Sequence, residues 1–378
     1  MKITVNREQL LTAVSNVQRA VSTKASMPAL EGILLRAQGD RISLSGYNLE
    51  LGITTDIEAD VYEPGEIVLG AKLFCDIVRR LPEECVLMEV DERFMTLIRC
   101  GASEFSVVGM PAEEYPELPE VTGGTELDIS GEVLKNMIDQ TIYAVSQNEA
   151  KPVHTGTLFE LGEGKLRLVS LDGFRMAVRT EDIGTQESMR FVVPGKTLSE
   201  ISKLIVFAGA NANKAEDEPE TSVSVTVGRR HIIFEVGGYR FISRLIEGEF
   251  IDYNAVIPHA VSTGVTVNTR RFIDAIERIS LLITDRIKSP LRCIFDEDMI
   301  KASCATTAGK ANDEFECLVS GERVEMGFNN RYLIEALRAS GCDEVKIELN
   351  GPLAPMKVLP PQGDEFLFLV LPVRLKNE

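Results

Sequence analysis

Three stretches of the chain carry one pattern of apolar and polar positions: Ile3–Val21 (ITVNREQLLTAVSNVQRAV), Leu127–Val145 (LDISGEVLKNMIDQTIYAV) and Val265–Ile283 (VTVNTRRFIDAIERISLLI). Each opens with an apolar–polar–apolar triplet, the alternation of a short half-buried strand. The next residue is Asn6, Ser130 or Asn268, whose side-chain oxygen suits the N-cap of a helix. Apolar positions then recur at helical spacing: Leu10, Val14 and Val17; Leu134 and Ile138; Phe272, Ile276 and Ile279. A strand, a capped helix and one buried helical face therefore return at offsets of 124 and then 138 residues. The pattern predicts a triplicated domain.

The first repeat continues through strand-like runs at Gly32–Ala37, Arg41–Tyr47 and Leu51–Ala59. A second strand follows at Glu66–Leu69, then a helix over Lys72–Leu81 closed by Pro82. Three more strands are predicted at Val86–Val90, Met95–Cys100 and Glu104–Val108. Each domain thus reads as a duplicated strand-helix-three-strand unit. The second repeat has its second helix over Lys196–Phe207 and later strands at Ser222–Val227, His231–Val236 and Arg240–Leu245. Gly209–Glu220, small and acidic, reads as an exposed loop. The third repeat places its second helix at Arg331–Ser340 and ends in the apolar run Phe366–Leu371. Turn-rich joints divide the chain into domains 1–122, 123–258 and 259–378. The expected class is α+β with antiparallel sheets.

Composition adds limits. The chain has 378 residues, 44% hydrophobic and 26% charged, as in ordinary globular proteins. No apolar run approaches the roughly 18 residues that read as a membrane span. No apolar signal-peptide core stands near the N-terminus. Seven scattered cysteines without a C-x-x-C fit a reduced, cytoplasmic setting. Net charge is −18, which taken alone opposes tight binding to a polyanion.

The basic residues are nevertheless ordered. Aligning the three second helices puts Lys72, Lys196 and Arg331 in one column and Arg79, Lys203 and Arg338 in another. Within each helix the two positions are seven apart, on one face. A solvated helix face explains any single helix. Three equivalent faces in an acidic protein point to a shared, modestly positive surface for a polyanion. The first helices add Arg19, Lys135 and Arg278, diluted by acidic neighbours. Six helices, each taking roughly 8–10 Å of circumference, enclose a hole too narrow for a duplex, whereas twelve give roughly 30–38 Å. A ring around DNA would need two chains.

The stretches MKITVNREQLL, KASMPALEGILL, GASEFSVVGMPAEEYPEL, SLDGFRMAV, EGEFIDYNAVIP and FLVLPVRL, in that order, carry a resemblance. The chain resembles the bacterial sliding clamp family, the beta subunit of DNA polymerase III, from end to end. The resemblance implies a non-catalytic, head-to-tail homodimeric ring of six similar domains, with helices inside and sheets outside. It implies duplex DNA, the polymerase III alpha subunit and a clamp loader as partners, and no cofactor or membrane. It adds Lys24 and Asn148 to the DNA-facing residues. It places a pocket for linear peptides between the second and third domains, at Lys151, His154, Leu171, Gly173, Phe174, Met176, Val256, Leu369, Leu371, Pro372, Val373 and Arg374. Apolar anchor sites are what such recognition needs.

Lys151, His154, Leu171 and Ala255 depart from the best-known members, as does the tail Lys376–Glu378. These departures bear on peptide preference. Ring closure would set the edge strand with Phe105 and Val107 against the partner's third domain, near Leu281 and Leu282.

Enzyme readings fare poorly. VPGKT at Val193–Thr197 ends like a phosphate-binding loop, but Arg190 stands where that motif needs glycine. Asp172-Gly173 reads as a turn between strands Lys165–Ser170 and Arg175–Thr180. His154, His231 and His259 are too dispersed for a zinc site. A peptide-binding scaffold with no DNA role is the alternative to the clamp.

Overall fold

The computed structural model describes residues 1–211, 221–284 and 289–375. Six α-helices are seen there: α1 (Arg7–Val17), α2 (Ala71–Arg80), α3 (Gly131–Asp139), α4 (Gly195–Asn211), α5 (Thr269–Ser280) and α6 (Asn330–Ser340). The caps expected at Asn6 and Asn268 operate. Asn6 Oδ1 accepts from the amides of Glu8 at 2.9 Å and Gln9 at 3.2 Å, and Asn268 Oδ1 from Arg271 at 3.0 Å. Asn329 does the same for α6, which stops at Gly341 in the left-handed region (φ 65°). α2 stops because Leu81 precedes a proline and is held extended. Leu10, Val14, Val17, Phe272 and Ile276 are wholly buried, as their spacing predicts. Each such side chain contributes roughly 1.5–3 kcal/mol of transfer free energy.

Strand bounds follow the alternation closely; Arg41–Tyr47, Met95–Cys100, Ser222–Val227 and His231–Val236 begin and end where the pattern puts them. The expected loop at Gly209–Glu220 is partly corrected. Gly209 and Ala210 extend α4, whose apolar face outlasts Phe207, while residues 212–220 lie outside the described part. The tail Lys376–Glu378 also lies outside it.

The chain forms two compact units, Met1–Glu132 with Ser199–Leu245, and Val133–Leu198 with Ile246–Glu378. The first holds a twelve-stranded antiparallel sheet with Ser103–Val108 at one end. Its long strand Leu51–Glu63 serves two partners. The first half pairs with Tyr239–Arg244 (Ile53 opposite Phe241), and the second half with Lys2–Asn6 (Val5 opposite Ala59). This pairing carries later chain into the first unit, so the compact units do not follow the repeats.

The second unit repeats the device. Arg175–Thr185 pairs with Phe366–Val370, placing Met176 opposite Leu369 within a nine-stranded sheet. A separate four-stranded sheet in this unit ends at Gly309–Glu316. Helices α5 and α6 pack on its core, where Phe272, Phe295 and Phe328 are buried together. The architecture is α+β with antiparallel sheets throughout.

Candidate functional site

The basic columns come out as six exposed side chains, and their ion pairs divide them. In the second column, Arg79 Nη1 lies 3.2 Å from Asp76, Lys203 Nζ lies 2.7 Å from Glu200, and Arg338 pairs with Glu277. The first-helix cations are engaged too: Arg19 with Glu200 at 3.2 Å, Lys135 with Asp139 at 2.5 Å, and Arg278 with Asp313 at 2.7 Å. Among the described residues no ion pair is recorded for Lys72 or Lys196, and Arg331 is exposed at the start of α6. The surface is therefore positive at a few points and balanced elsewhere. Lys24 and Asn148 are exposed on loops. Asn148 Oδ1 also accepts from Ala150 N at 3.0 Å, which fixes its turn.

The twelve expected pocket residues all lie in the second unit, and burial sorts them into a floor and a rim. Leu171, Met176 and Leu369 are buried in one cluster with Leu158, Val178, Phe250 and Tyr253. Phe174, Val256, Leu371 and Val373 remain exposed, with Phe174 58% accessible. Gly173, Lys151 and Arg374 are exposed, and Pro372 is half-buried. Large apolar side chains left in water beside a buried apolar floor are the form of an anchor site for a peptide.

Local chemistry builds the rim. Asp172 Oδ1 accepts from Phe174 N at 2.8 Å and Arg175 N at 3.0 Å, and Gly173 takes φ 89°. This turn lifts Phe174 outward, and Leu371 N donates to Phe174 O at 2.9 Å, bringing the tail alongside. Val373 N donates to Gly327 O at 2.8 Å and holds the tail's far end.

Sequence reasoning missed Arg175 and Tyr332. The Phe174 ring stacks on Tyr332 with centroids 6.0 Å apart. The Arg175 guanidinium lies 4.5 Å from the Tyr332 centroid and 5.3 Å from that of Tyr143, bonds Asp172 Oδ2 at 3.1 Å and pairs with Glu335. Asp172, read earlier only as a turn residue, is thus also an anchor for Arg175. His154 is half-buried edge-on to Phe250, with centroids 6.0 Å apart. Burial, then the charge of Lys151, lowers its pKa below the ordinary histidine value.

Of the expected interface residues, Phe105 is exposed and Val107 half-buried on the sheet-edge strand Ser103–Val108. Leu281 is 81% accessible at the C-cap of α5, just beyond the helix proper. Leu282, the next residue, is half-buried and packs against the core of the second unit.

Three family models match the chain in order: the N-terminal domain of the DNA polymerase III beta subunit over residues 1–119, its central domain over 128–252 and its C-terminal domain over 254–374. The chain belongs to the DNA polymerase III beta subunit family.

Two beta sliding clamps illustrate how far this family likeness extends. That of Bacillus subtilis strain 168 is 31% identical over 387 residues, covering 99% of this chain and 100% of the relative. That of Staphylococcus aureus strain Mu50 is 31% identical, covering 99% of each. The DNA polymerase sliding clamp structure from B. subtilis superposes with TM-score 0.93 at 30% identity over all of both chains. The beta subunit structure from Pseudomonas aeruginosa gives 0.90 at 28% identity, over 99% of this chain and 100% of that one. Sliding clamps of this family are non-catalytic processivity factors, and the fold here is the three-domain clamp fold.

Proposed function

We propose that this chain is a DNA sliding clamp: two copies, joined head to tail, encircle duplex DNA and tether the replicative polymerase to it. The repeated domains are 1–122, 123–258 and 259–378. The surface meeting DNA carries Lys24, Lys72, Arg79, Asn148, Lys196, Lys203, Arg331 and Arg338 and contacts backbone rather than bases. With Arg79, Lys203 and Arg338 already paired to carboxylates, direct binding is weak and salt-sensitive, as suits a ring that slides. The pocket around Phe174, Leu371 and the buried floor takes linear peptides of the polymerase III alpha subunit, the clamp loader and other partners. Residues Lys151, His154, Gly173, Val256, Pro372, Val373 and Arg374 border it. The protein works in the cytoplasm, in keeping with its seven free cysteines.

One observation carries the ring. Strand Leu51–Glu63 of the first repeat pairs with Tyr239–Arg244, which closes the second, and Arg175–Thr185 of the second pairs with Phe366–Val370, which closes the third. The strand in the corresponding place in the third repeat is Gly309–Glu316, and the strand that closes the first is Ser103–Val108. Each is a sheet edge among the described residues. The same pairing between two chains uses up both edges and forms a twofold ring. Phe105, Val107 and Leu281 then lie at the seam, with Leu282 supporting it from the core.

The test combines mass with topology. Light scattering should give a mass near twice 41.7 kDa. Clamps loaded on nicked circular DNA should stay through a high-salt wash and leave once the circle is cut. A monomeric mass, or equal retention on circular and linear DNA, would return the chain to the scaffold reading.

A further inference from the structure

The turn that lifts Phe174 has a twin in the first unit. Asn48 Oδ1 accepts from Glu50 N at 3.0 Å and Leu51 N at 2.8 Å, as Asp172 does for Phe174 and Arg175. Leu49 takes φ 73° where Gly173 takes 89°. Arg244 N donates to Glu50 O at 2.9 Å, matching the bond from Leu371 N to Phe174 O at the same length. The offset of 124 residues, with the paired closing strands, sets Tyr47 in the place of Leu171, Gly52 in that of Met176 and Ile242 in that of Leu369. After the closing strands, the segments EEYPEL and FIDYNAV set Tyr115 in the place of Tyr253 and Leu118 in that of Val256. Tyr115 and Tyr253 are both buried in the cluster beneath their turn.

The twins differ in one respect. Val256 stands exposed at the rim of the second unit's pocket. Leu118 instead lies down on Gly52: a Cβ added there would come within 2.7 Å of Leu118 Cδ2, 2.8 Å of Ile242 Cγ2 and 3.3 Å of Tyr47 Cδ2. A side chain at position 52 would have to displace Leu118, so the glycine leaves room for the leucine to lie down on the strand. Leu118 packs against the cluster of Leu30, Leu34, Tyr47 and Tyr115. Beside it lies a cleft of about 710 Å³ bordered by Pro116–Glu120 and lined by Ser43, Ser45 and Thr54 together with the charged Arg36, Arg41, Asp56 and Arg240. The equivalents of Ser45 and Thr54 in the second unit are Val169 and Val178, which close that ground with apolar core.

We propose that the joint between the first and second domains is a second peptide groove that the chain itself occupies, with Leu118 standing in for the apolar anchor of a partner peptide. The ligand class is the one assigned to the first pocket, a linear peptide with an apolar anchor, and the inference rests on that assignment. The neighbouring cleft gives such a peptide room for its backbone among hydroxyls and charged side chains of both signs once Leu118 is out of the way. The wild-type chain accordingly takes one peptide. Shortening Leu118 gives it two sites.

Methyl NMR of the full-length protein reads the two grooves separately. The probe is a synthetic peptide from the clamp-binding segment of the same organism's polymerase III alpha subunit. In wild type, saturable shifts are expected at the Leu369 and Leu371 methyls and none at Ile242. In Leu118→Ala, the Ile242 methyls should shift as well, saturating at higher peptide concentration, and calorimetry should register a second equivalent per chain. Leu118→Gly, which opens the groove further, is read in the same way should Leu118→Ala refill by relaxation. Shifts at Leu369 and Leu371 with Ile242 unmoved in both folded variants would overturn this inference alone. No shift at either place in wild type would overturn the first pocket and this inference with it.

Discussion

The Phe174 ring lies on Tyr332 with planes 24° apart, and the Arg175 guanidinium sits against the same tyrosine at 4.5 Å. Strand turn and helix α6 are thereby joined through one aromatic face. Phe174→Ala removes exposed apolar area at the rim while leaving the buried floor intact. A loss of about 2 kcal/mol, roughly thirtyfold in Kd for a partner peptide, is expected with little change in Tm. Fluorescence anisotropy with a labelled polymerase peptide measures it. Unchanged affinity would remove the stack from the pocket.

Ion pairing ranks the basic residues. Lys72→Ala and Lys196→Ala should each reduce the slope of log Kobs against log salt for DNA binding by about 1. Arg79→Ala and Lys203→Ala should do less, since Asp76 and Glu200 already compensate those charges. Equal effects in both columns would show that the pairs dissolve when DNA approaches.

The seam residues should behave differently although adjacent. Leu281→Asp adds a charge to an exposed position and should yield folded monomers by light scattering. Leu282→Asp buries a carboxylate against the core and should lower Tm whatever the oligomeric state. A stable dimer of Leu281→Asp would move the seam away from α5.

His154 and His231 both have lowered pKa values, chiefly through burial and then through Lys151 for the first and Arg244 and Arg230 for the second. The unfolded imidazoles bind protons near the ordinary value of 6.5, where the folded ones still resist. Stability is therefore full above about pH 6.5, declines as pH falls below it, and levels off once the folded groups are protonated. His154→Gln with His231→Gln should flatten the pH dependence of the urea midpoint over that window. An unchanged slope would assign it to carboxylates.

Cys85 is the exposed thiol among the seven free cysteines, whereas burial pushes Cys317 up to about 11 and Cys293 up to about 12. Iodoacetamide at pH 8 should label one site quickly, and Cys85→Ser should abolish that fast phase in mass spectrometry. Rapid labelling at Cys293 would reveal an opening of the third repeat's core.

The sequence by itself determined the elements and their repetition. Strand alternation, helical spacing and caps at Asn6 and Asn268 act over a few residues, so a local window contains their physics. It also contained the basic columns, because residues seven apart on a helix share a face. Tertiary structure decided what each of those residues does. Arg338 is balanced by Glu277, 61 positions away, and Arg175 is held by Glu335, 160 positions away. Leu282 rests against a core while Leu281 stays in water, and Leu118 lies over Gly52 while its counterpart Val256 stays exposed. Such outcomes depend on which distant side chain arrives at the same place: packing inside one repeat brings Glu277 to Arg338 and Leu118 to Gly52, and the pairing of strands across two repeats brings Arg175 to Glu335.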